Sequence, residues 1–293
     1  MRLFTLSIVI VLAGCASPAQ KADDSAPVAT DSGSVQAYVA EGDVLQWYDI
    51  PFAKPPVGDL RWRAPEPLDA KSQLISRRAE PAICPQLAGS VSGVEGDAAI
   101  GAEDCLYLDV TAPASGTEPL PVMVWIHGGG NTTGHKNTYD FSRFVAEQKV
   151  IVVTINYRLG PLGWFAHPTL GNGPGTIANF GTLDIIAALG WVKSNIDAFG
   201  GDADNVTIFG ESAGGHNVFT LLASPLSEGL FHKAISQSGY VRSLSPRQAH
   251  NREREFAEID RGSWEFTAAL GLSNDTVTAE SLRSISADDI ITT

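Results

Sequence analysis

A serine framed by glycines follows directly after a short apolar run. Residues 206–209 read VTIF and form the apolar run. Residues 210–215 read GESAGG and contain the pattern G-x-S-x-G. A strand that turns sharply into a helix needs residues without side chains on both sides of the turn. The pattern therefore predicts a strand, a strained turn and a helix. It also indicates Ser212 as a candidate nucleophile for acyl transfer.

Other short apolar runs resemble the one before this turn. Such nearly continuous runs are typical of strands that are buried on both faces of a parallel sheet. Helical patterns alternate with them, and this alternation predicts an α/β fold with a doubly wound, mostly parallel sheet. The predicted strands are 122–126, 150–155, 206–209 and 233–236, and the predicted helices are 141–148, 183–196 and 213–223.

The flanking regions carry weaker signals. Repeated prolines between residues 35 and 120 rule out long helices there, and short strands are expected near 44–48 and 106–111. From residue 246 onward the pattern predicts a helical, amphipathic tail that is heavily charged over 251–259.

The N-terminus has the features of a targeting segment. Arg2 precedes the apolar run 3–13, which is too short to span a bilayer. The end of this run belongs to the sequence Leu-Ala-Gly-Cys at 12–15, which resembles a bacterial lipobox. Residues 1–15 are therefore predicted to be a lipoprotein signal that ends at a lipidated Cys15; the alternative is an ordinary secretory signal with a chance cysteine. Ala16 after the cysteine favours a bacterial outer-membrane or periplasmic location. Residues 16–34 are small and polar and predict a flexible linker, which leaves 35–293 as the folded domain.

Two cysteines remain once Cys15 is assigned to lipid. In an exported protein, Cys84 and Cys105 are most simply a disulfide, and the alternative is two unrelated buried thiols. The net charge of −13 disfavours nucleic acid as a partner. No phosphate-binding loop or metal-ligand cluster is apparent in the sequence, so neither a cofactor nor a metal is expected.

A second glycine-rich segment, His127-Gly128-Gly129-Gly130, follows the first predicted core strand. Three consecutive glycines can direct successive N–H groups at one point. Together with the serine motif and several other segments, it carries a resemblance to the type-B carboxylesterase/lipase family, which includes the cholinesterases. The matching segments are IPFAKPPVG at 50–58, LRW at 60–62, EDCLYL at 103–108, WIHGGG at 125–130, NYR at 156–158, AFGGD at 198–202, FGESAGG at 209–215 and QSG at 237–239.

The resemblance covers about residues 35–245, with a further match at 282–290, and implies an α/β-hydrolase fold that acts on small-molecule carboxylic esters. It implies that Glu103 pairs with an arginine near 61–63, and that Glu211 either biases the electrostatics of the site or is held by local hydrogen bonds. No aromatic residue lies between the two cysteines, which disfavours choline esters. The implied site residues are Ser212 as nucleophile, Gly129, Gly130 and Ala213 as oxyanion-hole donors, and Cys84 and Cys105 as the family's first disulfide.

The acid and histidine of a catalytic triad follow the serine in this fold. By the family's spacing both fall beyond Thr293, and His216, His232 and His250 are expected to be packing or surface residues. We therefore expect an N-terminal part of a serine esterase, with the C-terminal strands and helices missing, an exposed edge strand near residue 234, and a separate C-terminal half as a candidate partner. The alternative function is a catalytically inert, cholinesterase-like binding or adhesion domain.

Overall fold

The computed structural model describes residues 21–23, 25–69, 73–116, 118–170, 178–259 and 262–293. The predicted signal segment, Cys15 and the first part of the predicted linker lie outside these ranges. Among the described residues, no helix combines the length and the hydrophobicity that crossing a bilayer requires.

Strands make up the first part of the described chain, strands and helices alternate between residues 120 and 237, and short helices follow. The strands are β1 Val28–Thr30, β2 Gly33–Val35, β3 Ala37–Ala40, β4 Val44–Pro51, β5 Leu74–Ile75, β6 Gln86–Gly89, β7 Val94–Ile100, β8 Tyr107–Pro113, β9 Leu120–Ile126, β10 Ile151–Ile155, β11 Gly201–Glu211 and β12 Lys233–Gln237. The helices are α1 Ser142–Gln148, α2 Gly160–Gly163, α3 Phe180–Asn195, α4 Ala213–Ala223, α5 Pro246–His250, α6 Ser263–Ala269, α7 Ala279–Arg283 and α8 Ala287–Thr292.

The central sheet has the strand order β12-β11-β9-β10-β8-β4-β3. The four strands predicted from apolar runs form its parallel half, β12-β11-β9-β10. Strands β8, β4 and β3 extend the sheet with antiparallel pairing. The predicted α/β fold is confirmed, and the short strands of the proline-rich region supply its antiparallel half.

Helices cover both faces of the parallel half. Val124 and Ile126 of β9 belong to the same buried cluster as Ile185 and Leu189 of α3. Between them, Trp125 belongs to a second cluster, with Val145 of α1, on the opposite face. The alternation follows from the two-residue period of a strand, and it explains why these runs are apolar on every position.

The N-terminal hairpin corrects the predicted linker. Residues 28–35 form β1 and β2, which pair antiparallel, so the flexible linker predicted at 16–34 is wrong for this part. The buried Ser32 hydroxyl donates to the Pro51 carbonyl at 2.6 Å and accepts from the Trp191 indole N–H at 2.8 Å. The side chain of Asn195 also accepts from the Asp31 N–H. These partners are far away in sequence, so the local polar composition gave no sign of them.

The tail consists of the short helices α5 to α8, which confirms helical structure in part. Residues 251–259 are an exception, because they contain a single 3-10 turn at Arg252–Arg254 and further turns. The buried Asn251 holds this segment in a turn: its amide accepts from the Phe256 N–H and donates to the Phe256 and Ile259 carbonyls. Side chains of α6, α7 and α8 pack in one cluster with Trp62 and Phe165.

Strand β12 forms one edge of the central sheet, as expected for the strand near residue 234. Its residues are mostly exposed, and Ile235 keeps 45% of its surface accessible. Other large apolar side chains nearby in sequence are also exposed, namely Leu222, Leu226, Tyr240, Val241 and Leu244. We call β12 and these residues the exposed edge.

Candidate active site

Ser212 stands at the turn between β11 and α4. Its backbone has φ 56° and ψ −118°, a conformation that costs free energy for a residue with a side chain. The Ser212 N–H donates to the Gln237 carbonyl at 2.8 Å, and the Ser212 carbonyl accepts from the His216 N–H at 3.0 Å. The end of β12 and the first turn of α4 thus hold the strained turn that the sequence predicted.

The glycines on both sides of Ser212 are required by close backbone contacts. A Cβ on Gly210 would lie 2.5 Å from the backbone carbon of Gly214. A Cβ on Gly214 would lie 2.0 Å from the Ile126 carbonyl oxygen. Both distances are far below van der Waals contact, so α4 can begin against the end of β9 only where these side chains are missing.

The glycine-rich loop after β9 lies directly against this turn. A Cβ on Gly128 would stand 3.3 Å from the Ser212 Cβ and 2.7 Å from the Glu211 carbonyl oxygen. Gly129 and Gly130 have φ values of 95° and 65°, which disfavour other residues. The structure therefore brings the predicted oxyanion-hole loop beside the predicted nucleophile. That Gly129, Gly130 and Ala213 donate to an oxyanion stays a prediction.

Asn131 anchors the far end of the loop, a role that no motif in the sequence indicates. The Asn217 amide of α4 donates to Asn131 Oδ1 at 2.9 Å, and the Gly160 N–H donates to the Asn131 carbonyl at 2.6 Å. The Tyr157 hydroxyl donates to the His127 carbonyl at 2.6 Å. These bonds tie the loop to α4, α2 and the end of β10, and the match NYR at 156–158 was the only sequence signal near them.

His127 is buried beneath the loop in its neutral form. Its Nδ1 donates to the Gly128 carbonyl at 2.8 Å, and its ring stacks on Tyr157 with 4.3 Å between centroids. Its Nε2 is buried and has no hydrogen-bond partner among the described residues. Burial lowers the pKa of His127 to about 4, because a charged imidazolium would lose its hydration there. The ring therefore acts as an uncharged support for the loop at neutral pH.

The histidines that follow Ser212 have other partners. His216 Nδ1 donates to the Tyr240 carbonyl at 2.6 Å, and the His216 ring stacks on Tyr240. His232 Nδ1 accepts from the Val206 N–H, while the His250 ring packs against Trp264. Within the described part of the chain, the Ser212 hydroxyl has no hydrogen-bond partner. No general base for Ser212 is therefore visible in the described residues.

Four further residues named from the sequence are Cys84, Cys105, Glu103 and Glu211. The disulfide between Cys84 and Cys105 is present and buried, which excludes the alternative of two unrelated thiols. Glu103 forms a two-point ion pair with Arg61, with distances of 2.6 and 2.5 Å, as expected. Glu211 is exposed, and its Oε2 lies 3.0 Å from where a Cβ on Gly128 would stand.

A cleft with a volume of about 500 Å³ opens beside the glycine-rich loop. Loop residues form one wall, and aromatic and aliphatic side chains from α2, α6 and the tail form the rest. An apolar lining with a few polar groups is typical of clefts that bind small organic molecules. Residues that line it include Gly130, Asn131, Pro161, Trp164, Phe165 and Phe266. Across the described ranges, no three His, Cys, Asp or Glu side chains are grouped so as to hold a metal ion.

Comparison with known proteins gives consistent matches. The family model described as "Carboxylesterase family" matches residues 24–293, so the match includes the N-terminal hairpin. The chain is 42% identical over 266 residues to a para-nitrobenzyl esterase of Bacillus subtilis (strain 168), covering 90% of this chain and 51% of that protein. It is 47% identical over 223 residues to a fumonisin B1 esterase of Sphingopyxis macrogoltabida, covering 74% and 40%.

Solved structures give the same result. A thermophilic PNB esterase superposes with a TM-score of 0.78 at 40% identity, over 91% of this chain and 53% of that one. A Geobacillus stearothermophilus carboxylesterase superposes with a TM-score of 0.76 at 36% identity, over 92% and 52%. The chain thus spans about half the length of the proteins that it matches.

Proposed function

Because the chain belongs to the carboxylesterase family, we propose that it is the nucleophile-bearing half of a serine hydrolase that cleaves small-molecule carboxylic esters. One observation supports this most: Ser212 occupies a strained turn with the glycine-rich loop against it. A backbone conformation that costs stability and exposes a serine next to three glycines is expected of a catalytic serine.

The proposed reaction proceeds through an acyl-enzyme. The Ser212 hydroxyl oxygen attacks the ester carbonyl while a base takes its proton, and the carbonyl oxygen becomes an oxyanion. The N–H groups of Gly129, Gly130 and Ala213 stabilise that charge, and loss of one such donor typically lowers the rate about a hundred- to a thousandfold. The alcohol leaves with a proton, and water then releases the acid and restores Ser212.

Ser212 needs a base and an orienting acid, and we propose that a C-terminal half supplies both. In this fold these groups follow the serine in sequence, and the matched relatives are about twice as long as this chain. The half is either a continuation of the chain or a separate polypeptide. The exposed edge suits such a half, because β12 pairs with β11 on one side only. Its other side presents backbone groups and nearby apolar side chains to a further strand.

Export to the cell envelope is part of the proposal. The sequence of residues 1–15 supports a lipid anchor on Cys15, and the Cys84–Cys105 disulfide suits an oxidising compartment. The enzyme would then act on esters that reach the bacterial periplasm or outer membrane.

Ester hydrolysis tests the proposal. We expect hydrolysis of para-nitrophenyl esters by a protein in which the chain is joined to the C-terminal half of a matched relative. In its Ser212→Ala variant, the rate should be lower by about a thousandfold or more. The unjoined chain is the second control and is expected to be inactive. A folded, joined protein without activity would favour the alternative, an inert binding or adhesion domain.

A further inference from the structure

Gln86 connects the disulfide loop to the glycine-rich loop. It lies two residues after Cys84 and is completely buried. Its Oε1 accepts from the Thr133 hydroxyl and from the Gly134 N–H, each at 2.7 Å. Its Nε2 donates to the Gly134 carbonyl at 2.9 Å and to the Cys84 carbonyl at 3.0 Å. The amide group thereby uses both acceptor positions and both donors, which also fixes its orientation.

The partners of Gln86 pack directly on the residues proposed for the oxyanion hole. The Thr133 N–H donates to the Gly129 carbonyl at 3.0 Å, and a Cβ on Gly129 would lie 2.1 Å from the Thr133 carbonyl oxygen. A Cβ on Gly134 would lie 2.5 Å from the His127 Nδ1. Only one residue therefore separates the Gln86 side chain from the backbone of Gly129.

Three more hydrogen bonds, two of them through Asn156, connect the disulfide loop with the same turn. His135 Nε2 donates to the Ser92 carbonyl at 3.2 Å. The buried Asn156 amide donates to the Cys105 carbonyl at 3.0 Å, while its Oδ1 accepts from the Lys136 N–H at 2.7 Å. Both ends of the disulfide loop are thus linked to the segment that closes the glycine-rich loop.

We propose that Gln86 is a positioning residue for the oxyanion hole, and that the Cys84–Cys105 disulfide holds the glycine-rich loop in place through it. The inference rests on the proposed roles of Gly129 and Gly130. Gln86 satisfies buried donors and acceptors that would otherwise be unpaired, so its removal would leave the Gly134 N–H and carbonyl without partners. The turn would then shift to find water, and the N–H groups of Gly129 and Gly130 would lose their fixed directions.

Hydrogen exchange tests the positioning without any need for catalysis. In the full chain, Gln86→Met keeps the side-chain length but removes all four bonds. We expect amide exchange over residues 127–137 to become at least tenfold faster, with other segments unchanged. Gln73→Met, at an exposed glutamine, is the matched control and should leave exchange as it is. Unchanged exchange over 127–137 in Gln86→Met would overturn the proposal, whatever the catalytic activity of the protein.

Two milder perturbations apply if Gln86→Met does not fold. Thr133→Val removes one of the four bonds and should raise exchange in the same segment by a smaller factor. Reduction of the wild-type disulfide by a dithiol, which converts the cystine to two thiols as the dithiol is oxidised to its cyclic disulfide, should also raise it. If reduction made amide exchange faster only within residues 84–105, the link between the disulfide and the glycine-rich loop would be refuted.

A kinetic readout separates positioning from general stability. In the protein joined to a C-terminal half, Gln86→Met should lower the maximal rate of fluorophosphonate labelling by about a hundredfold, with the half-saturating concentration unchanged. Gln86→Glu should recover part of the lost rate only at acid pH, because a protonated carboxyl keeps one donor beside its acceptor, whereas the carboxylate has no donor. An unchanged maximal rate in Gln86→Met would contradict the role.

Discussion

The backbone N–H of Ser212 donates to the carbonyl oxygen of Gln237 across 2.8 Å. Gln237 ends β12, so the strained turn of the proposed nucleophile depends on the edge strand of the sheet. A chain that joins the exposed edge would therefore stabilise Ser212 as well as bring groups near it. This relationship connects the assembly of the protein with the geometry of its candidate active site.

The exposed edge should make the chain self-associate. Ile235 lies in an edge strand with 45% of its surface accessible, and unpaired edges with apolar side chains promote aggregation. We expect Ile235→Lys to lower the aggregated fraction, measured by light scattering, about tenfold, because charge on an edge strand opposes pairing. Val57→Lys is the matched control, since Val57 is 47% accessible but lies outside the sheet. If both variants lowered the aggregated fraction equally, the change in net charge, and not the position in the edge strand, would explain the effect.

Gly214 should not tolerate any side chain. A Cβ there would lie 2.0 Å from the Ile126 carbonyl oxygen, so Gly214→Ala should lower the free energy of unfolding by about 3 kcal/mol. Gly190 in α3 is the control, because nothing lies within 4 Å of an added Cβ. Gly190→Ala should raise the free energy by about 0.5–1 kcal/mol through helix propensity. Urea unfolding measures both, and a neutral Gly214→Ala would contradict the close packing of the turn.

The ion pair between Arg61 and Glu103 should contribute to stability far more than an exposed pair. The two side chains are 7% and 14% accessible, and Arg61 Nη1 also donates to the Ile285 carbonyl at 2.5 Å. Glu103→Gln should therefore lower the free energy of unfolding by about 3 kcal/mol. Glu147→Gln breaks the exposed pair with Arg143 and should leave the free energy of unfolding almost unchanged. If thermal melts showed similar losses of stability in the two variants, burial of the Arg61–Glu103 pair would not be what makes it stabilising.

Stability should fall at acid pH because of His127. Its pKa is about 4 in the folded protein, so the unfolded chain binds a proton first as the pH drops below about 6.5. His127 should thus lower the free energy of unfolding by about 3 kcal/mol between pH 6.5 and 4. His127→Phe keeps a ring against Tyr157 and should flatten this part of the profile. If the pH dependence of the free energy of unfolding were unchanged in His127→Phe, protonation of His127 would not be its cause.

Local patterns predicted the elements that carry the proposed chemistry. Continuous apolar runs identified the parallel strands because burial on both faces demands apolar residues at every position. The glycines around Ser212 identified the turn because close backbone contact excludes any side chain there. The disulfide between Cys84 and Cys105 and the pair of Glu103 with Arg61 were expected from the family resemblance, and both are confirmed.

Features that depend on distant partners could not be predicted. The sequence predicts a linker over residues 28–34 of the hairpin because the side chains that satisfy its polar groups, Trp191 and Asn195, lie about 160 positions away. Likewise, the bonds of Gln86 to Gly134 cross 48 positions and leave no periodic signal. The charged pattern around Asn251 predicts a helix, because it does not reveal that the Asn251 amide holds a turn.

Site-mapped fluorophosphonate labelling tests the central claim, that Ser212 is a nucleophile activated by groups from a C-terminal half, most directly. Intact mass and peptide mapping would compare the chain alone, the chain joined to the C-terminal half of a matched relative, and the joined Ser212→Ala variant. We predict a single adduct on Ser212 in the joined protein and none in the other two. An adduct on another residue, equal labelling of the chain alone, or a folded joined protein without any adduct would contradict the account.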